Sequence, residues 1–118
     1  HPITFKDYSL ATSFEDVGLK TWDEIYLCFS STALQSFDFK LFNTHLQGKP
    51  TIIMLQSSTE DFPVLTQVFD KEQIVNGMIT LISYAAPLAT ENVSVPGTAY
   101  WLPPLMPMPI SGGIKRRN

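Results

Sequence analysis

Pro103, Pro104, Pro107 and Pro109 fall within seven positions, and nothing else limits so sharply what this chain can fold into. Each proline fixes its own φ and removes a backbone donor, so residues 103–109 can form neither a helix nor a central strand. The stretch is predicted to be extended, with polyproline II character. A basic end, Lys115-Arg116-Arg117, follows the Ser111-Gly112-Gly113 hinge. The packed structure must then be built upstream. The expected organisation is one core domain over residues 1–102 and an extended Pro/Met-rich tail over 103–118. With 118 residues the chain is long enough for a modest core of its own.

Upstream, residues 10–30 read as helical. Leu10, Phe14, Val17, Trp22, Ile25 and Phe29 share one stripe at helical spacing, with Asp16, Lys20 and Asp23 opposite. Thr12 with Glu15, and Thr21 with Glu24, form capping boxes. Gly18 between them predicts two short helices or a kink. The rival reading makes residues 24–29 a strand, because they are rich in β-formers.

From about residue 36 the period changes. Phe37, Phe39 and Leu41 alternate with Asp38, Lys40 and Phe42, a strand pattern. Gln47-Gly48-Lys49-Pro50 is turn material. The apolar run Thr51-Ile52-Ile53-Met54-Leu55 has two readings: a buried strand, or an exposed loop that docks a neighbour. Ser58 is placed to cap a turn in the polar stretch 57–61. Asn76-Gly77 predicts a type I′ turn joining a strand over 72–75 to one over 78–85. The second of these is apolar on both faces, which predicts a central position. Val95-Pro96-Gly97 is a further turn. The predicted class is α+β, an N-terminal helical element packed on a small, mostly antiparallel β-sheet, followed by the extended Pro-rich segment.

Charged residues make up 16% of the chain, against about 25% in ordinary domains. That shortage predicts that a partner covers part of the surface. Net charge is −3, and three of the basic residues sit together at the end, so the body is more acidic still. An acidic body argues against the broad basic face of a nucleic-acid binder. Lys115, Arg116 and Arg117 remain candidates for contact with phosphate or an anionic membrane. The single cysteine, Cys28, excludes an internal disulfide and reads as a buried thiol in a reducing compartment. No apolar run reaches the roughly 18 residues of a membrane span, and no secretory signal is visible, so the Asn92-Val93-Ser94 sequon carries no weight. The start at His1-Pro2, without an initiator Met, fits a fragment or processed form that lacks an N-terminal tail.

The search for chemistry is negative. Two histidines and one cysteine far apart make no zinc site, so no metal or cofactor is expected. Adjacent acids such as Glu15-Asp16 and Asp23-Glu24 are explained by helix starts. A triad drawn through His45, or a pair of His45 with Asp61, lacks any nucleophile-elbow motif. No glycine motif cradles phosphate, and no aromatic–basic interleaving suits single-stranded nucleic acid. The expected protein is not an enzyme. Its candidate contact residues are apolar: Thr51, Ile52, Ile53, Met54 and Leu55 after the turn, and Leu105, Met106 and Met108 on the proline-rich segment.

Four pieces in order resemble the folded core of rhabdovirus matrix proteins. They are Thr21-Trp22-Asp23-Glu24-Ile25-Tyr26, then Phe37-Asp38-Phe39-Lys40-Leu41-Phe42, then Gly48-Lys49-Pro50 with the apolar run 51–55, and finally Gly77-Met78-Ile79-Thr80-Leu81-Ile82-Ser83-Tyr84 with Trp101 downstream. The resemblance covers about half of the chain. The family's basic N-terminal tail and Pro-Pro-x-Tyr motif are absent, the body is acidic, and the Pro/Met tail replaces a helical part. A divergent member, such as one from a plant virus, fits these departures. The resemblance implies a viral structural protein that self-associates, condenses the nucleocapsid through the nucleocapsid protein and links it to the envelope. Residues 51–55 would form the self-association loop. It also implies residence in the virion and, in the host cytoplasm, peripherally on membranes. The rival reading is a small cytosolic adaptor whose residues 103–109 engage an aromatic-lined groove on another protein.

Overall fold

The computed structural model describes residues 4–55, 58–90, 92 and 95–112. Helix α1 spans Phe14–Val17, strand β1 Glu24–Leu27, α2 Ser31–Ser36, α3 Phe39–His45, β2 Thr51–Met54 and α4 Phe62–Thr66. After a 3₁₀ turn at Lys71–Gln73 come β3 (Ile74–Gly77), β4 (Ile82–Ala86), β5 (Gly97–Trp101) and β6 (Ile110–Gly112). The class is α+β, as the sequence predicts. The main sheet has the order β1-β2-β3-β6, and β4 and β5 form a separate two-stranded ribbon. β1, β2 and β3 run parallel, while the β3–β6 and β4–β5 pairs are antiparallel. Parallel neighbours need crossovers, and α2–α3 and α4 supply them.

Each helix is short and locally specified. Ser13 caps α1 by accepting from the Asp16 amide at 3.1 Å, so the cap lies one residue beyond the expected Thr12. Ser30 caps α2 through the Ala33 amide at 3.2 Å, and Asp38 caps α3 through the Leu41 amide at 2.9 Å. α4 carries Pro63 in its first turn, where the missing N–H is harmless. As expected, Ser58 caps a turn, accepting from the Glu60 amide at 3.2 Å.

The core joins these elements into one layer pair. Leu27, Ile52, Met54 and Ile74 from the sheet meet Leu34, Phe39, Phe42 and Leu65 from the helices, with Phe69 beside them. Phe14, Phe37 and Phe42 stack edge-to-face around this centre, with centroids 5.5–5.6 Å apart. Among the described residues, the buried hydrophobic side chains all lie from Leu27 to Ile74.

Several local expectations are corrected. The helix expected over 10–30 is helical only at α1, and Glu24–Leu27 takes the rival strand reading. Gly18 ends α1 where the chain passes close to α3: a Cβ there would sit 2.9 Å from the His45 carbonyl oxygen. Residues 37–42, expected to be a strand, enter α3. Phe42 breaks the alternation, and Phe39 and Phe42 bury one helical face three residues apart once Asp38 caps the turn. Asn76-Gly77 makes no hairpin. Asn76 lies between Met54 and Ser111 in the sheet, and Gly77 closes β3, where a Cβ would press to 3.1 Å from the Leu55 side chain. Its glycine is used for close packing rather than for a left-handed turn. Ser111 and Gly112 are not a hinge but part of β6. Gly113 lies outside the described residues. Cys28 is exposed rather than buried.

Candidate functional site

β3 and β6 do not end where the sheet ends. Beyond the Gly77–Ile110 pair the two limbs run on side by side away from the core. The Met78 amide donates to the Pro109 carbonyl at 3.1 Å, and the Thr80 hydroxyl donates to the Met106 carbonyl at 3.4 Å. The limbs then become β4 and β5, paired from Ile82–Trp101 to Ala86–Gly97. The result is a two-stranded arm over residues 78–109 whose strands have their main contacts with each other. The radius of gyration is 16.9 Å. A compact chain of this length has about 13.5 Å.

The arm is apolar and uncovered. Ile82 and Trp101 share one face with Tyr84 and Ala99, while Tyr100 sits on the other beside Ser83. Ile82, Tyr100 and Trp101 are more than half exposed. The strand expected to be central, residues 78–85, is instead on this arm and exposed on both faces. Its apolar residues on two faces carry the same pattern as burial between two layers, but the described residues supply no second layer.

The proline-rich segment makes the tip of a turn. The Met106 amide donates to the Pro103 carbonyl at 3.4 Å, with Pro104 and Leu105 between. Leu105 has φ 65°, the left-handed position that glycine usually fills in such a turn. Its side chain is 100% exposed. A leucine held in this way contributes nothing to the core and carries backbone strain on the order of 1 kcal/mol.

Charge is missing from the same region. From Gln73 to Ile114 the only charged residue is Glu91, while the acidic excess lies in residues 1–72. This is the signal that pattern reasoning on the strands overlooks, and it marks the arm directly. Lys115, Arg116 and Arg117, proposed for anion contact, lie outside the described residues. Of the apolar candidates, Leu105, Met106 and Met108 are exposed on the arm, but Ile52, Ile53 and Met54 are buried. Thr51–Met54 is the central strand β2, flanked by β1 and β3, and Thr51 and Leu55 at its ends are half-buried. The exposed-loop reading of residues 51–55 is therefore overturned: a run of β-branched residues between two parallel neighbours is core.

Where the arm leaves the sheet there is a groove of about 480 Å³, lined by Met54, Phe62, Asn76, Met78 and Ile110 among others. It lies past the carboxyl ends of β2 and β3, the usual ligand position in parallel sheets. The Asn76 Oδ1 is buried beside it with no hydrogen-bond partner. The described lining carries no titratable side chain. Elsewhere, the fully buried Asp61 accepts from the Ser31 hydroxyl at 2.5 Å and the Gln35 amide at 3.3 Å, joining α4 to α2. His45 is engaged elsewhere, 3.7 Å from Glu15 and 3.0 Å from the Leu41 carbonyl. The structure does not pair it with Asp61. On the surface, Lys49 donates to Asp70 at 2.9 Å, and this carboxylate raises the lysine pKa. Among the described residues no three His, Cys, Asp or Glu side chains are grouped to hold a metal, and no helix is long and apolar enough to cross a membrane.

Comparison with known proteins finds no matching family model, no matching curated protein and no matching solved structure.

Proposed function

We propose that this chain is a non-enzymatic assembly protein that docks to a second copy of itself through the apolar arm. The observation that carries the reading is the arm itself, a two-stranded ribbon with large exposed apolar side chains, no core beneath it among the described residues and almost no charge. Two strands alone are marginally stable in water, and contiguous exposed apolar surface marks interaction sites. A two-fold interface sets like against like. In an acidic chain, the surface that can meet its own copy without repulsion is the uncharged one.

The matrix-type form of this reading adds nucleocapsid condensation and contact with an anionic membrane through Lys115–Arg117. It rests on the sequence resemblance, and its proposed contact loop at residues 51–55 passes to the arm. Sedimentation velocity over a wide concentration range tests the core of the proposal. The expected result is a reversible oligomer that Trp101→Asp shifts to monomer while far-UV circular dichroism is kept. A strictly monomeric profile at the highest concentration would sink it. The adaptor reading is favoured by one feature, the fully exposed Leu105 on a proline-flanked turn. It requires a monomer whose capture of another protein is lost in Leu105→Asp.

A further inference from the structure

The two limbs of the arm differ at their outer edges. The limb that runs from β5 to β6 carries Pro103, Pro104, Pro107 and Pro109, which cannot donate to a neighbouring strand. The limb from Met78 to Ala86 has no proline, no charge and no glycine. As a strand, β4 is paired with β5 on one side, and no strand of the described chain lies on its other side. Soluble proteins protect such edges with prolines, lysines, bulges or a covering element. One limb has prolines of this kind, and the other has no proline, lysine or pairing strand among the described residues.

We propose that the β4 limb pairs edge to edge with the β4 limb of a second copy, antiparallel about a two-fold axis near Ile82, the midpoint of residues 78–86. This rests on the self-docking reading above and specifies its geometry. The two ribbons then form one four-stranded sheet, which passes the size at which a sheet with an apolar face is stable by itself. Ile82 and Trp101 of each copy lie on one continuous face of that sheet. Charge permits it: the joined limbs bring no acidic or basic side chain together, and the acidic bodies are held at opposite ends. A lipid surface is the weaker occupant, because an open strand edge in hydrocarbon leaves its backbone groups without partners.

The test uses disulfide trapping in the full chain with Cys28→Ser, which removes the exposed native thiol. Single cysteines are placed at Ile82, at Ser83 and, as the alternative edge, at Ala99 in the middle of β5. Antiparallel neighbours at a two-fold axis bring Cα atoms within the roughly 4.4–6.8 Å that a disulfide spans. Under copper–phenanthroline oxidation, Ile82→Cys or Ser83→Cys is expected to give at least tenfold more covalent dimer than Ala99→Cys. Ile82→Lys is expected to weaken dimerisation at least tenfold in sedimentation velocity with circular dichroism unchanged. If that variant fails to fold, the cysteine series still decides. Preferential trapping at Ala99 would overturn the β4 assignment and leave self-association standing. Absence of any dimer from the wild-type chain, with or without vesicle binding, would overturn both.

Discussion

Residues 21–77 are less rich in apolar side chains than residues 78–109, yet it is the first stretch that buries them and the second that displays them. In the first, β1 is followed by α2 and α3 and β2 by α4, and these helices return the chain across the sheet so that the three strands lie parallel. Every strand therefore finds a neighbour and the helices find a face, and Leu34, Ile52 and Leu65 lose all contact with solvent. In the second, two strands pair with each other, and no described element crosses back over them. Apolar content decides burial only when the topology supplies a second layer.

The largest expected effect tests that contrast directly. Ile52→Ala or Leu65→Ala removes a side chain with no solvent exposure, and each should lower the unfolding free energy by roughly 2–5 kcal/mol in urea titrations. Trp101→Ala deletes a larger side chain from the arm. At a concentration where the chain is monomeric it should stay within about 0.5 kcal/mol of wild type. If Trp101→Ala costs as much as the core changes, the arm is packed in solution and the contrast fails. Hydrogen exchange gives a second measure: amides of β2 should be protected far longer than those of β4 and β5 in the monomer.

A smaller effect probes how the packed half is held together. Asp61 occupies the cap position of α4 yet makes no cap bond there. It reaches instead to Ser31 and Gln35 and ties α4 to α2. Asp61→Ala removes the buried acceptor of the half-buried Ser31 hydroxyl, while the exposed Gln35 amide can turn to water, and it should cost on the order of 1–3 kcal/mol. Asp61→Asn keeps the shape and an acceptor for the Ser31 hydroxyl, so it should lose clearly less by the same titration. Equal losses in the two variants would show that the charge, rather than the hydrogen-bond geometry, is what the site requires.

These regions were not equally legible in the sequence. The buried strand at Thr51–Met54 was one of two open readings, and the α+β class was visible. Elements of four to seven residues are too short to display a period. Trp22, Ile25 and Phe29 fall at helical spacing although β1 lies between them. At α3 the decisive signs were local, the Asp38 cap and the Phe39–Phe42 pair, and they compete with an alternation that only Phe42 interrupts. The parallel pairing of β1, β2 and β3 joins residues more than twenty positions apart, and a strand's neighbours are not written in its own pattern. Residues 78–85 read as a central strand because residues apolar on both faces look alike whether covered or bare. The near-absence of charge from Gln73 to Ile114, with Glu91 the one exception, is the feature that distinguishes the two.

The smallest expected effect sits at the proline-flanked turn that follows β5 and separates strain from contact. Leu105 holds φ 65° with its whole side chain in solvent, so its replacement removes no buried area. Leu105→Gly relieves the left-handed strain but adds chain entropy to the unfolded state, two opposing terms of similar size. The monomer should therefore change by no more than about 0.5–1 kcal/mol, in the stabilising direction if strain dominates. Leu105→Asn, which tolerates the same φ with less entropy gain, should be at least as stable as Leu105→Gly. If both variants keep the monomer intact and leave the oligomer unchanged as well, Leu105 plays no part in assembly, and the contact surface narrows to the β4–β5 ribbon.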